Sequence, residues 1–213
     1  QAGAAEPAEL KRQVRHQLAQ MAKHHAQLGY ARADAWINLT RVGLLLDDAP
    51  LAAEALAPLK ADAGLQLDRD KMLASRVAQI DGELARLQGD LPRSAALLRQ
   101  RTQLLFAPPR DQKLLPTWVA ALDLAYTLVL MGDAGAPAAL QTAAQRRPDG
   151  VRPGHPLDAV QAYLAARLVA GSDSAPEVRA ALQTLLAAQG RAPARAGDAP
   201  ANAGRGSLGG AFI

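Results

Sequence analysis

Residues 80–98 read IDGELARLQGDLPRSAALL. An apolar-periodic stretch that begins near Arg69 runs to Leu87 and breaks at Gly89-Asp90. Pro92 then opens a second periodic stretch, which stops near Phe106 before Pro108-Pro109. Glycine suits a helix end because it adopts the left-handed conformation without a Cβ clash. Proline suits a first turn, where its missing N–H costs nothing. The spacing therefore predicts two helices joined by a tight turn.

The same punctuation recurs on both sides. Upstream, a helix over Ala35–Leu46 closes at Asp47-Asp48, and Pro50 opens a partner that runs to about Ala61 and ends at Gly64. Downstream, Gln112–Met131 and Gly135–Arg146 form a pair divided at Gly132-Asp133, and Pro156–Ala170 pairs with Ala175–Gln189 across Gly171-Ser172-Asp173. A first helix over Ala8–Leu28 carries Leu10, Val14, Leu18, Met21 and Leu28 on one stripe, with Pro7 in its first turn and Gly29 at its end. The turns at Asp48, Gly89, Gly132 and Gly171 are 41, 43 and 39 residues apart. A helix hairpin repeated at such a period is a solenoid pattern, because one hairpin cannot bury both of its apolar faces and a stack can.

Composition agrees with an all-α fold. Of 213 residues, 49 are alanine and 34 leucine, against 18 valine, isoleucine and threonine together and seven aromatics. Strands favour the scarce group and helices the abundant one. Lys plus Arg is 24 and Asp plus Glu is 20, interspersed along the chain, so no strongly basic face points to nucleic acid. The chain has no cysteine, which removes disulfides and thiolate chemistry and leaves the compartment open. The longest mostly apolar run, Trp118–Met131, carries Asp123 and is shorter than the about 20 residues a bilayer requires, so no membrane contact is expected through this segment. The first residue is Gln1, which reads as a processed product or a piece of a longer chain. Residues 1–30 are expected to form an N-terminal helix that reads as half of a truncated repeat. Residues 31–190 are read as the repeat domain, and the Ala/Gly/Pro-rich residues 191–213 as a flexible tail.

Trp36, Leu39, Ala52 and Leu56 in the first unit resemble tetratricopeptide repeats. So do Gly82, Gly89, Ala95 and Leu98 in the second, and Leu124, Gly132 and Ala138 or Ala139 in the third. Thr40 stands where the family often has a glycine at the helix crossing. The period exceeds the family's usual 34 or so, and is similar to the long variety of kinesin light chains and bacterial signalling proteins. Pro153-Gly154-His155-Pro156 resembles the Gly-x-x-His-Pro element found there. The resemblance implies a right-handed α-solenoid of about four helix hairpins. It also implies a concave groove, lined by the first helix of each unit, that binds a peptide or partner helix. Transferred to this chain, the groove positions are Asn38, Arg41, Arg76, Gln79, Glu83, Arg86, Asp123 and Tyr126. Asn and Arg can hold a peptide backbone or carboxylate by directed hydrogen bonds; the alternative is a solvated polar face. The family's Lys and Asn clamp for a terminal carboxylate is not found complete.

Other chemistry finds little footing. His16, His24 and His25 are spaced one, eight and nine apart, not the four that places a metal pair on one helix face. Surface histidines are the preferred reading, and His155 is read as a cap or turn residue. Asp123, between Leu122 and Leu124, would have a raised pKa if buried; pairing with a neighbouring Arg in an exposed or groove-facing position is preferred. Ser172 and Ser174 read as turn caps, and Arg146, Arg147 and Arg152 as a cluster at a helix end. The aromatics are too sparse for base stacking at each repeat. The C-terminal Ala211-Phe212-Ile213 could serve a carboxylate-capturing groove. The reading is a non-enzymatic protein–protein interaction module without a cofactor, a regulatory or sensor segment of a larger bacterial signalling protein. The alternatives are an enzyme using Asp123, Glu83 or His155, or a nucleic-acid-binding repeat.

Overall fold

The structure, a computed structural model, describes residues 2–24, 31–107 and 113–188. Within them the chain forms nine α-helices: α1 (Ala2–His24), α2 (Ala31–Leu45), α3 (Ala49–Ala61), α4 (Lys71–Leu87), α5 (Leu91–Phe106), α6 (Leu115–Met131), α7 (Ala136–Gln145), α8 (Pro156–Ala170) and α9 (Pro176–Ala188). A short 3₁₀ turn, Ala63–Leu65, follows α3, and the described residues contain no strand. The all-α reading and the helix pairs agree with the sequence. Three starts differ: α1 passes through Pro7 instead of beginning at it, α2 begins at Ala31, ahead of Ala35, and α6 begins at Leu115, after Gln112. Leu28, Gly29, His25, Pro108-Pro109, the 191–213 tail and Ala211-Phe212-Ile213 lie outside the described residues.

Three turns share one hydrogen-bond pattern. Asp47, Gly89 and Gly132 have φ of 50°, 82° and 65°, the left-handed region. Each donates its N–H to the carbonyl three residues back, at Leu44, Arg86 and Val129. The following residues, Asp48, Asp90 and Asp133, donate to the carbonyls of Gly43, Ala85 and Leu128, five back. This closes the orphan carbonyls at each helix end. Asp48 and Asp90 then cap the next helix by accepting from Leu51 N and Arg93 N, while Asp133 accepts from Gly135 N at 2.7 Å. Asp47, not Asp48, is thus the turn residue of the first pair, and Asp48 is the cap. The fourth turn differs: Gly171, φ 66°, donates to Arg167, four back.

α2 packs on α3, α4 on α5, α6 on α7 and α8 on α9. Between pairs, α2 lies on α4, α5 on α6, and α6 on α8, while α1 covers α2 and α3. The first close helix crossing is at Gly43, where an added Cβ would sit 2.7 Å from the Ala52 nitrogen and 2.8 Å from its Cα. Thr40 does not take the crossing role; its hydroxyl donates to the Trp36 carbonyl within α2. In the second pair Gly82 takes that role against Leu98.

The apolar interior falls into two clusters. One draws on α1 to α4, with Trp36, Ile37, Leu51, Leu56, Ile80 and Leu84 among its members. Val14, Leu18 and Met21 carry the α1 stripe into it, whereas Leu10 is 40% exposed and outside the core. The other draws on α5 to α9, around Trp118, Leu122, Tyr126, Leu157, Tyr163 and Leu164. Among the described residues no helix is long and apolar enough to cross a membrane.

Candidate functional site

Buried polar side chains gather on α4, α5 and α6, alongside buried Ala85, Leu98 and Ala120. α4 is buried on all sides from Val77 to Arg86, which encloses Gln79, Glu83 and Arg86. α5 adds Ser94 and Arg101, and α6 adds Asp123 and Thr127, all buried. α2 approaches α4 and α6 approaches α8, but α4 and α6 have no comparable backbone contact. Long side chains span that gap. Arg86 Nη1 donates to Thr127 Oγ1 at 3.0 Å, and its guanidinium lies 4.9 Å from the centre of the Tyr126 ring. Gln79 Nε2 donates to Glu83 Oε1 at 3.0 Å, one turn along α4. Ser94 Oγ lies 3.4 Å from Thr127 Oγ1.

The most deeply buried ion pair joins Arg101 to Asp123, Nη1 to Oδ2 at 2.5 Å. Asp123 is 0% exposed and Arg101 4%. Burial disfavours the charged carboxylate and, helped by the nearby Glu83 charge, pushes Asp123 up to about 6 against the pull of Arg101 and Arg86. Burial also lowers the Arg101 pKa, and the like charge of Arg41 acts in the same direction, opposed by Asp123 and Glu83. Asp123 Oδ1, Arg101 Nε, and Arg86 Nε and Nη2 make no hydrogen bond within the described residues. A buried charge that keeps open donors or acceptors is costly, so this layer holds position at the expense of stability. Burial likewise pushes the Tyr126 hydroxyl up to about 12.

The structure divides the eight groove positions into two sets. Gln79, Glu83, Arg86, Asp123 and Tyr126 are buried in this layer and do not line an open surface. Asn38 is exposed and Arg41 half-buried, without an ion pair among the described residues. Arg76, half-buried, pairs with Asp34 of α2 at 2.6 Å. Arg41, Glu83 and Tyr126 each stand six residues before a left-handed turn residue, so the repeat register does align one position of α2, α4 and α6. Asp123 has the Arg partner foreseen for it, but in the interior and not at a surface or groove. Arg101, Ser94 and Thr127 escaped the sequence reading; the one signal was an aspartate embedded in an apolar helix, which required a cation from elsewhere.

The remaining polar residues hold the scaffold. Asp81, 3% exposed, receives Lys60 of α3 and Arg93 of α5, each at 2.6 Å. Lys11 of α1 reaches Asp48 at 2.9 Å, and together with the Leu51 N–H holds that carboxyl below its ordinary value. Arg32 pairs with Asp62. His155 caps α8, its Nδ1 accepting from Leu157 N at 3.2 Å, and its ring lies 5.6 Å from that of Trp118. Arg147 grips Asp158 through two nitrogens and lies 5.5 Å from the Trp118 ring centre, while Arg146 covers Phe106. Ser172 and Ser174 bond to each other within their turn. His16 and His24 are exposed. The described residues hold no cluster of three or more His, Asp or Glu side chains suited to a metal ion. Compared with protein-family models, with curated proteins and with solved structures, the chain shows no match.

Proposed function

We propose that this chain is a non-enzymatic protein–protein interaction module, a right-handed α-solenoid of tetratricopeptide type with about four helix hairpins and an N-terminal helix. The recurrence of one turn carries this reading: the left-handed residues Asp47, Gly89 and Gly132 share the same pair of backbone hydrogen bonds at intervals of 42 and 43 residues. Hairpins closed by turns of one hydrogen-bond pattern, as the first three are, present equivalent helix faces in succession, and such a surface suits an extended segment of another protein. The docking edge in this reading is the part of the transferred groove that is not enclosed, exposed Asn38 with half-buried Arg41 and Arg76. The buried polar positions behind it set the spacing of the helices. A regulatory or sensor segment of a bacterial signalling chain is the setting this architecture suits.

A catalytic reading has one observation in its favour. Asp123 and Glu83 lie close enough for their charges to interact, and Asp123 is lifted to about 6. Acid–base catalysis requires such groups to reach a substrate proton, and both side chains are sealed below the surface. The interaction module is therefore preferred.

Site-specific photo-crosslinking in the source cell tests the proposal. A photoreactive residue in place of Asn38 or Arg76 is expected to capture a discrete protein partner, and one in place of Glu177 on α9 is not. Equal capture from all three positions, or none from Asn38 and Arg76, would refute the docking edge.

A further inference from the structure

We propose that the open side of α8, the first helix of the last pair, docks a second copy of this chain about a two-fold axis. The turn register locates the surface. Counted back from the left-handed residues Gly89, Gly132 and Gly171, the positions ten, six and three residues earlier share one side of α4, α6 and α8. In the first two helices that side meets the next pair. Arg86 reaches Thr127 and Tyr126 of α6, and Tyr126 lies within electrostatic reach of Tyr163 and Arg167 of α8. Gln79, Glu83 and Arg86 are accordingly buried, as are Leu122, Tyr126 and Val129. The corresponding residues of α8 are Gln161, Ala165 and Leu168. Ala165 is exposed and the other two are half-buried. Next to them Ala162 is exposed, and Val169 is 91% exposed, while no other exposed large apolar side chain among the described residues exceeds 47%.

The occupant follows from three observations. On α4 and α6 the equivalent side is covered by further helices, so a helix surface fits it, and it continues the packing of α2 on α4 and of α6 on α8. Residues 189–213, which follow α9, do not read as such a helix, because from Gly190 to Gly210 a glycine or proline recurs at intervals of four residues or fewer. The opposite end of the array does not match the face either. The outer flank of α1 carries exposed Arg12, Gln13, His16 and Gln17, which suit water and leave head-to-tail stacking without an apolar counterpart.

The open side of α8 matches itself. It presents no unpaired charge: Asp158 is held by Arg147, and Arg167 by Asp173. A two-fold contact sets each residue near its own counterpart, so a charged face would repel its copy and a neutral one does not. With the axis at Ala165, two antiparallel α8 helices place Val169 of each copy beside Ala162 of the other, a large side chain over a small one, as close helix packing requires. α8 has 15 residues, about 22 Å of helix. A face of that length and one helix wide is small for a permanent dimer, so the association is reversible and grows with concentration.

Sedimentation of the intact chain from about 1 μM to about 1 mM tests this. A monomer–dimer equilibrium is expected. Ala165→Glu sets two carboxylates face to face across the axis, and Val169→Asp puts a charge on the apolar contact. Each is expected to weaken association about a hundredfold or more. Both sites are open in the single chain, so circular dichroism is expected to show unchanged helix content. Gln13→Asp on α1 is expected to leave the equilibrium as it was. A chain that stays monomeric to about 1 mM, as it would if residues 189–213 covered α8, would overturn the proposal. So would species larger than a dimer that grow with concentration, or a dimer that neither α8 variant weakens. No other protein enters the measurement, so its outcome is independent of the docking edge.

Discussion

Between α2 and α3, Gly43 lets two backbones close until an added methyl would strike Ala52. Between α4 and α6, Arg86, Tyr126 and Thr127 fill the space and the backbones stay apart. The first contact is short-range and apolar; it tolerates no added volume. The second is built from charge in a dry setting, so it depends on pairing and not on fit. The hairpin crossing is held by close apolar fit, and the α4–α6 junction by the pairing of buried charges.

The largest difference is expected when one buried charge is left alone. Asp123→Ala strands the Arg101 cation and is expected to cost about 3–5 kcal/mol in denaturant unfolding. Gly43→Ala tests the tight contact, because its Cβ meets backbone that cannot rotate away. A loss of about 1–3 kcal/mol is expected there, and a smaller one for Gly82→Ala, whose Cβ meets the movable end of Leu98 at 3.0 Å. Thermal unfolding of the two variants side by side checks that order; a costlier Gly82→Ala would contradict it. Gly89→Ala meets no atom within 4 Å and bears only the strain of its left-handed backbone. About 1–2 kcal/mol is expected from that source, and unaltered stability would remove the turn assignment.

The smallest effect is read against pH, because a neutral Asp123 leaves Arg101 with less compensation. Asp123 is raised to about 6 in the folded chain from an ordinary 3.8, so the folded state binds this proton more tightly. Its contribution to stability grows as pH falls through about 6 toward 4, and Asp123→Asn is expected to lack that rise. Asp48 and Asp158, held low by Lys11 and Arg147, act in the opposite sense and lose their contribution as pH falls through and below 3.8. Melting curves of the wild type and Asp123→Asn across this range separate the two. Parallel pH profiles would show that Asp123 is not held above its ordinary value.

Helices and turns were legible because their causes are local. Gly89, Gly132 and Gly171 end helices through their own backbone freedom, and Asp90 and the prolines start the next ones. Asp47 was harder to read, since a non-glycine in the left-handed region carries no mark in composition. The helix crossing at Gly43 was missed because a family pattern pointed one turn earlier, to Thr40. The polar junction was largely illegible. Arg101 and Asp123 sit 22 residues apart on different helices, and no spacing rule brings them together. Nor does periodicity show that Gln79, Glu83 and Arg86 are enclosed, since α4 is covered on every side only after both neighbouring pairs have docked.

A double-mutant cycle on Arg101 and Asp123, measured by denaturant unfolding, tests the buried junction most directly. Arg101→Leu and Asp123→Leu are each expected to be severely destabilising, while the double variant recovers to at least wild-type stability, with a coupling of about 3 kcal/mol or more. Additive losses, with no recovery in the double variant, would contradict it.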